Sequence, residues 1–188
     1  MAPANRRAAT SSVVAAIHHP LRRRLLDLLG VEGPATASQL AERTGELVGN
    51  ISHHLKVLAA AEVILEAPEL AKNRRERWWR SAHQSYSWSV ADAEGEPAGE
   101  LIATVSEERN VTHHTDKVRQ WFEMRSSYDE DWVRAAFSTD SWLRLTPERL
   151  AELGQRIGEL IQEYYDAPPT DESAQPVYVF AHAVPAKP

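Results

Sequence analysis

Between Leu21 and Leu58 the apolar positions recur at helical intervals, and the polar residues between them mark where each helix begins and ends. Leu21, Leu25, Leu28 and Leu29 form the i, i+4, i+7, i+8 stripe of a core helix that ends at Gly30 or Gly33. Ahead of it, Ser11 or Ser12 caps a helical segment carrying Val13, Val14 and Ile17, and Pro20, tolerated in a first turn, restarts the helix. Thr36 or Ser38 then caps a short helix with Leu40 and Ala41 on its inner side, stopped by Gly45 in a left-handed conformation. A second helix begins near Val48, where Val48, Ile51, Leu55 and Leu58 line up at spacings of 3, 4 and 3 as one buried stripe. Its other face carries Gly49, Asn50, Ser52, His53 and Lys56, small or hydrogen-bonding residues with one cation and no carboxylate. Such a face suits the major groove of DNA, where side chains approach base edges and phosphates; an ordinary solvated helix pair has the same pattern.

The period changes after Leu58. Val63, Ile64 and Leu65 read as a strand, Trp78 and Trp79 lie in a second one, RERWWRS, and the segment between holds Lys72, Arg74 and Arg75. A hairpin with a basic tip directly after two turn-linked helices reads as a wing, placed to lie over the DNA backbone or minor groove. Residues 81–98, SAHQSYSWSVADAEGEPA, read as a linker. From Gly99 to about Met124 the chain runs as one helix of about 40 Å. Its apolar positions Leu101, Val105, Val118 and Phe122 call for a partner helix, plausible in a second subunit. Thr146 as N-cap and Pro147 at N1 open a helix with the stripe Leu150, Leu153, Ile157, Leu160, Ile161 and Tyr164. The alternation from Val177 to Val184 reads as a terminal strand, with Trp142 to Leu145 as the nearest partner.

Charge sharpens this division. The 188 residues carry a net charge of -6, which by itself disfavours nucleic acid. Residues 1–80, however, hold 12 basic and 8 acidic residues, a net of +4, and the remainder is left with -10. The first part suits phosphate contact and the second points away from it. Hydrophobic residues at 43% and charged residues at 26% fit a globular protein. No apolar run approaches the ~20 residues of a membrane span, and VVAAI is too short for a signal-peptide core, so the chain reads as cytoplasmic.

The absence of cysteine excludes disulfides, thiolate metal sites and a cysteine nucleophile. The pairs His18/His19, His53/His54 and His113/His114 are adjacent in sequence, so on a helix their rings diverge by about 100° and do not chelate one ion as an i, i+4 pair does. They read as surface or interface histidines, and neither a metal nor another cofactor is expected. There is no Gly-x-Ser-x-Gly elbow, P-loop, His-Glu-x-x-His or dinucleotide fingerprint, and no enzyme activity is expected. The aromatic residues after residue 120, among them Trp121, Trp132, Phe137, Trp142 and Tyr178, fit a packed core or interface and equally a pocket for a small-molecule effector.

The run GNISHHLKVLAAAEVI followed by a hairpin ending RERWWRSAH resembles winged-helix regulators of the arsenic-repressor (ArsR)-like group, in its actinomycete-type branch. Ser52, His54, Leu55 and Leu58 are the part most like that family's recognition helix. The resemblance covers roughly residues 12–90, and SWLRLTPERLAEL and VYVFAHAVP extend it into the tail. It implies a homodimeric transcriptional regulator, usually a repressor released by an effector. Metal-sensing members use cysteines near the recognition helix or Asp and His pairs on a C-terminal helix, and neither pattern is matched here.

The expectation is therefore a mostly α protein with a small β-hairpin wing. Residues 11–90 form a winged helix-turn-helix that binds double-stranded operator DNA, and residues 91–188 form a helical dimerisation domain, a candidate effector domain, with a short C-terminal strand. Gly49, Asn50, Ser52 and His53 face bases, Lys56 faces phosphate, and Lys72, Arg74, Arg75 and Arg77 serve the wing. The rival readings are a winged helix used as a protein-interaction module and a metal-responsive repressor.

Overall fold

The computed structural model describes residues 13, 16–17, 19–73, 76–82, 97–167, 171 and 173–187. It divides into two compact units, Met1–Thr112 and His113–Pro188. The sequence boundary near residue 90 lies outside the described residues.

In the first unit, helix α1 (Pro20–Val31) starts where His19 takes the N-cap position and its imidazole accepts from the Leu21 N–H at 3.2 Å. Leu25, Leu26 and Leu29 are buried, and Leu21 and Leu28 pack against them. A two-residue strand, β1 (Ala35–Thr36), leads into α2 (Ala37–Thr44). The Thr36 hydroxyl accepts from the Gln39 N–H at 3.3 Å, and the Gln39 carboxamide oxygen accepts from the Thr36 N–H at 2.8 Å, a complete capping box. Gly45 ends α2 at φ 75°, a left-handed conformation that glycine adopts without steric cost.

Helix α3 (Val48–Ala60) follows after two residues and buries Ile51, His54, Leu55 and Leu58. Ile51, Leu55 and Leu58 match the expected stripe. Val48 does not, because it stands at the open end of the helix, 46% exposed, and His54 takes the inner place instead.

Strands β2 (Ile64–Glu66) and β3 (Trp78–Ser81) form the hairpin, and β1 pairs with the outer side of β3, giving an antiparallel sheet in the order β1-β3-β2. Ala35 lies opposite Trp79 on one side, and Glu66 lies opposite Trp79 on the other. The sequence reading had no signal for β1, since two residues are too few for a period. Ile17, Leu25, Leu40, Ile51, Leu55, Leu58, Val63 and Ile64 close the core, each almost fully buried. Val13 and Ile17 are buried as expected, whereas Ser11, Ser12 and Val14 lie outside the described residues.

Helix α4 (Pro97–Met124) has 28 residues and agrees with the expected long helix. Among its residues whose side chains are described, from 104 on, the buried positions are not the apolar ones: Ser106, Asn110 and His114, at spacings of four, are buried, while Val105, Val118 and Phe122 are exposed, and Leu101 lies outside the described side chains. Within the first unit the reason is polar, because an Arg23 N–H donates to the Asn110 side-chain oxygen at 3.5 Å.

The second unit adds α5 (Glu130–Ala135) and α6 (Pro147–Asp166), the latter capped by the Thr146 hydroxyl, which accepts from the Arg149 N–H at 3.4 Å. No residue of α6 is buried, although its apolar stripe is well formed. The expected terminal strand is corrected: among the described residues, neither 177–184 nor 142–145 is a strand. The alternation has another use. Phe180 stacks on His114 with ring centres 4.7 Å apart, His182 Nε2 and His114 Nδ1 share a hydrogen bond of 2.8 Å, and the Lys117 amine lies 5.8 Å from the Tyr178 ring centre. The aromatic residues of this segment thus contact a helix, and no sheet ladder is needed. No helix of the described residues is long and apolar enough to cross a membrane.

Candidate nucleic-acid interface

Burying Ile51, His54, Leu55 and Leu58 turns the opposite side of α3 to solvent. Gly49, Asn50, His53 and Lys56 are exposed there and Ser52 is half-buried, so the structure brings these five expected residues onto one helix. A Cβ at Gly49 would meet nothing within 4 Å, so the glycine is not required by the chain's own packing. The face is not free of carboxylate, as the sequence reading had it. Glu46, in the turn before the helix, accepts from the Asn50 amide at 2.8 Å. The i, i+4 spacing of Glu46 and Asn50 was the available signal. This bond uses one of the two N–H groups of the Asn50 amide, and Glu46 itself is an acceptor suited to a base amino group such as cytosine N4.

The arginines of α1 tie it to its neighbours, and one of them, Arg22, reaches α3. A run of three arginines has the look of a solvated face, yet Arg22, Arg23 and Arg24 each have a partner within the chain. An Arg22 N–H points to His54 Nδ1 at 3.5 Å and its Nε donates to the Ala16 carbonyl. Arg23 pairs with Asp27 at 3.7 Å. Arg24 donates to the carbonyls of Arg43 and Thr44, at 3.2 and 3.3 Å, at the end of α2 where helical carbonyls lack partners. The turn between α2 and α3 is therefore tied to α1 by side chains that sequence periodicity does not distinguish from surface cations.

His54 is the residue that most directly connects the exposed helix to its support. Its ring lies 4.5 Å from that of His19 and 5.4 Å from that of His53. Burial lowers the His54 pKa, and His19, Arg22 and His53 lower it further, against a smaller opposing influence of Glu46. Burial likewise lowers His19, with Arg22 and Arg109 adding to the effect. Both rings therefore favour the neutral form. Among the described residues, no group of three or more His, Asp or Glu side chains is arranged to hold a metal ion.

On the hairpin, Lys72 and Arg77 are exposed. The Lys72 backbone N–H donates to Glu76 at 2.8 Å, and Arg77 pairs with Glu66 across the hairpin at 3.4 Å. Arg74 and Arg75 lie outside the described residues. A polar cleft of about 540 Å³ opens at the loop end of the hairpin, lined among others by Glu66, Lys72, Glu76, Arg77 and Trp78.

A helix braced on one side, exposed on the other and followed by a three-stranded antiparallel sheet with a protruding hairpin defines the architecture. The first unit is a winged helix-turn-helix. Residues 17–66 match the family model described as a helix-turn-helix domain. The chain is similar to the transcriptional repressor SdpR of Bacillus subtilis (strain 168), 46% identical over 54 residues that make up 29% of this chain and 59% of that protein. It spans about three fifths of the length of that curated relative. Among solved structures, a mutant of Lactococcus lactis ZitR in its apo form matches with a TM-score of 0.35 and 16% identity, over 80% of this chain and 86% of the other.

Proposed function

We propose that the chain is a sequence-specific DNA-binding transcriptional regulator that acts as a homodimer and represses. The observation that carries this reading is α3: a helix fixed by Ile51, His54, Leu55 and Leu58 that leaves Gly49, Asn50, His53 and Lys56 in solvent. That division of faces is what a helix needs in order to enter the major groove without disturbing its own fold. The net +4 of residues 1–80 supplies the phosphate attraction, and the similarity to a transcriptional repressor over 54 residues supports the sign of regulation.

Uncovered apolar surface supports a two-fold assembly. Phe122 is 59% exposed, and Leu160, Tyr164 and Trp142 are exposed too, which one chain alone leaves in water. A second copy covers this surface and sets two recognition helices about 34 to 36 Å apart. The exposure of Phe137 and Trp142 supports an interface role for these aromatic residues. A gel shift with the promoter of the chain's own gene, titrated with salt, tests the reading: a shift at low salt that weakens steeply with added salt supports it, and no shift at low salt overturns it.

A further inference from the structure

Helix α3 starts in an unusual way. Its N-cap is Leu47, with φ -70° and ψ 138°, and no side chain caps the helix there. The Leu47 carbonyl accepts from the Ile51 N–H at 3.1 Å, which makes this residue the true start of the helix. Serine, threonine, asparagine or aspartate in this place would satisfy an orphan N–H and stabilise the helix. Leucine forgoes that bond, and packing does not offset the loss, because the side chain is 81% exposed. Val48 beside it is 46% exposed and Gly49 adds no bulk, so the helix tip presents an isolated apolar projection beside hydrogen-bonding groups.

A local rule broken without compensation among the described residues points to a partner outside them. In helix-turn-helix proteins the N-terminal residues of the second helix are the ones that reach base edges. The C5-methyl of thymine is the apolar group that the base pairs display in the major groove. The positive charge of residues 1–80 complements the phosphates that flank such a contact.

We propose that Leu47, at the uncapped tip of α3, packs against a thymine methyl in each half-site and so sets a base preference. This rests on the DNA-binding reading above. The contact has the scale of one or two methylenes removed from water, an affinity change of about three- to tenfold.

The test begins with selection of bound sequences from a randomised duplex pool by the full chain. Each thymine of the selected site is then replaced by deoxyuridine, which removes the methyl alone. Binding of the wild type and of Leu47→Ser is measured on each duplex. The expected result is one thymine position per half-site where deoxyuridine weakens the wild type about three- to tenfold and Leu47→Ser by less than about twofold. Leu47→Ser keeps or raises the denaturation midpoint, since serine restores a cap, so a binding loss cannot come from misfolding. If a site is enriched but no thymine is sensitive, or if Leu47→Ser retains the sensitivity, this inference is overturned while DNA binding stands. If no duplex is enriched at all, DNA binding falls and the inference with it.

Discussion

The His54 ring lies 4.5 Å, centre to centre, from the His19 ring, and neither imidazole can gain a proton without meeting another cation. His19 Nδ1 already accepts the Leu21 N–H that caps α1, and His54 Nδ1 faces an Arg22 donor. Around the pair stand Arg22 from α1, Arg109 from α4 and His53 on α3, with Glu46 as the opposing charge. Helix α3 is thus held by a contact that favours neutral imidazoles.

A pH dependence follows from this pair. The folded pKa values of His19 and His54 are lowered from 6.5, so the unfolded chain takes up protons first as the solution is acidified. The stability associated with the neutral pair is present above about pH 6.5, and it is lost as the pH falls from there towards the lowered folded values. Urea denaturation at pH 7.5 and 5.5 is expected to give a lower midpoint at pH 5.5. His54→Leu should reduce the part of that difference contributed by this site. An unchanged pH difference in the variant would contradict the assignment.

Stability substitutions separate the caps from the core. Thr36→Ala removes the capping box and should cost about 1 kcal/mol, and Arg24→Ala, which leaves the α2 terminal carbonyls to water, about 0.5 to 1 kcal/mol. Leu55→Ala, at a fully buried position, should cost about 2 to 5 kcal/mol. Equilibrium urea curves give all three values, and a cap variant as damaging as Leu55→Ala would refute the ranking.

What was legible in the sequence is what neighbouring residues decide together. Thr36 is one of the two cap candidates, Gly45 marks a left-handed stop, and the Ile51, Leu55 and Leu58 stripe needs only the helical repeat. The same logic placed α4 and the Thr146-Pro147 start of α6. Contacts between distant segments were not legible. Arg22 and Arg24 look like surface cations until α3 and the end of α2 are packed beside them. The alternation in 177–184 was real, but its aromatic side found α4 residues and no strand. At the interface, helical spacing exposed Gly49, Asn50, His53 and Lys56, whereas Glu46 and Leu47 escaped notice because they precede the periodic stretch.

The apolar surface of the second unit makes a prediction about assembly. Leu160→Glu places a charge at a position already 54% exposed, so the single chain should fold as before. Analytical ultracentrifugation is expected to show a dimer for the wild type and a monomer for the variant, with unchanged helical circular dichroism. A wild type that sediments as a monomer at all concentrations would remove the homodimer from the account.

Base readers and phosphate contacts should separate in binding data. Asn50→Ala or His53→Ala is expected to cost about 1 to 3 kcal/mol on the preferred site and little on random DNA. Arg74→Ala and Arg75→Ala should weaken binding to every sequence and reduce the salt slope by about one unit each. Equal losses on both kinds of DNA for all four variants would cancel the base-reading assignment.

The most direct measurement compares the affinity of the wild-type chain for its own promoter and for a scrambled duplex of equal length, by fluorescence anisotropy at one fixed salt concentration. The expected result is a preference of about a thousandfold or more for the promoter, with both affinities falling as salt is raised. Equal affinity for the two duplexes, or no binding to either at low salt, would contradict a sequence-specific regulator.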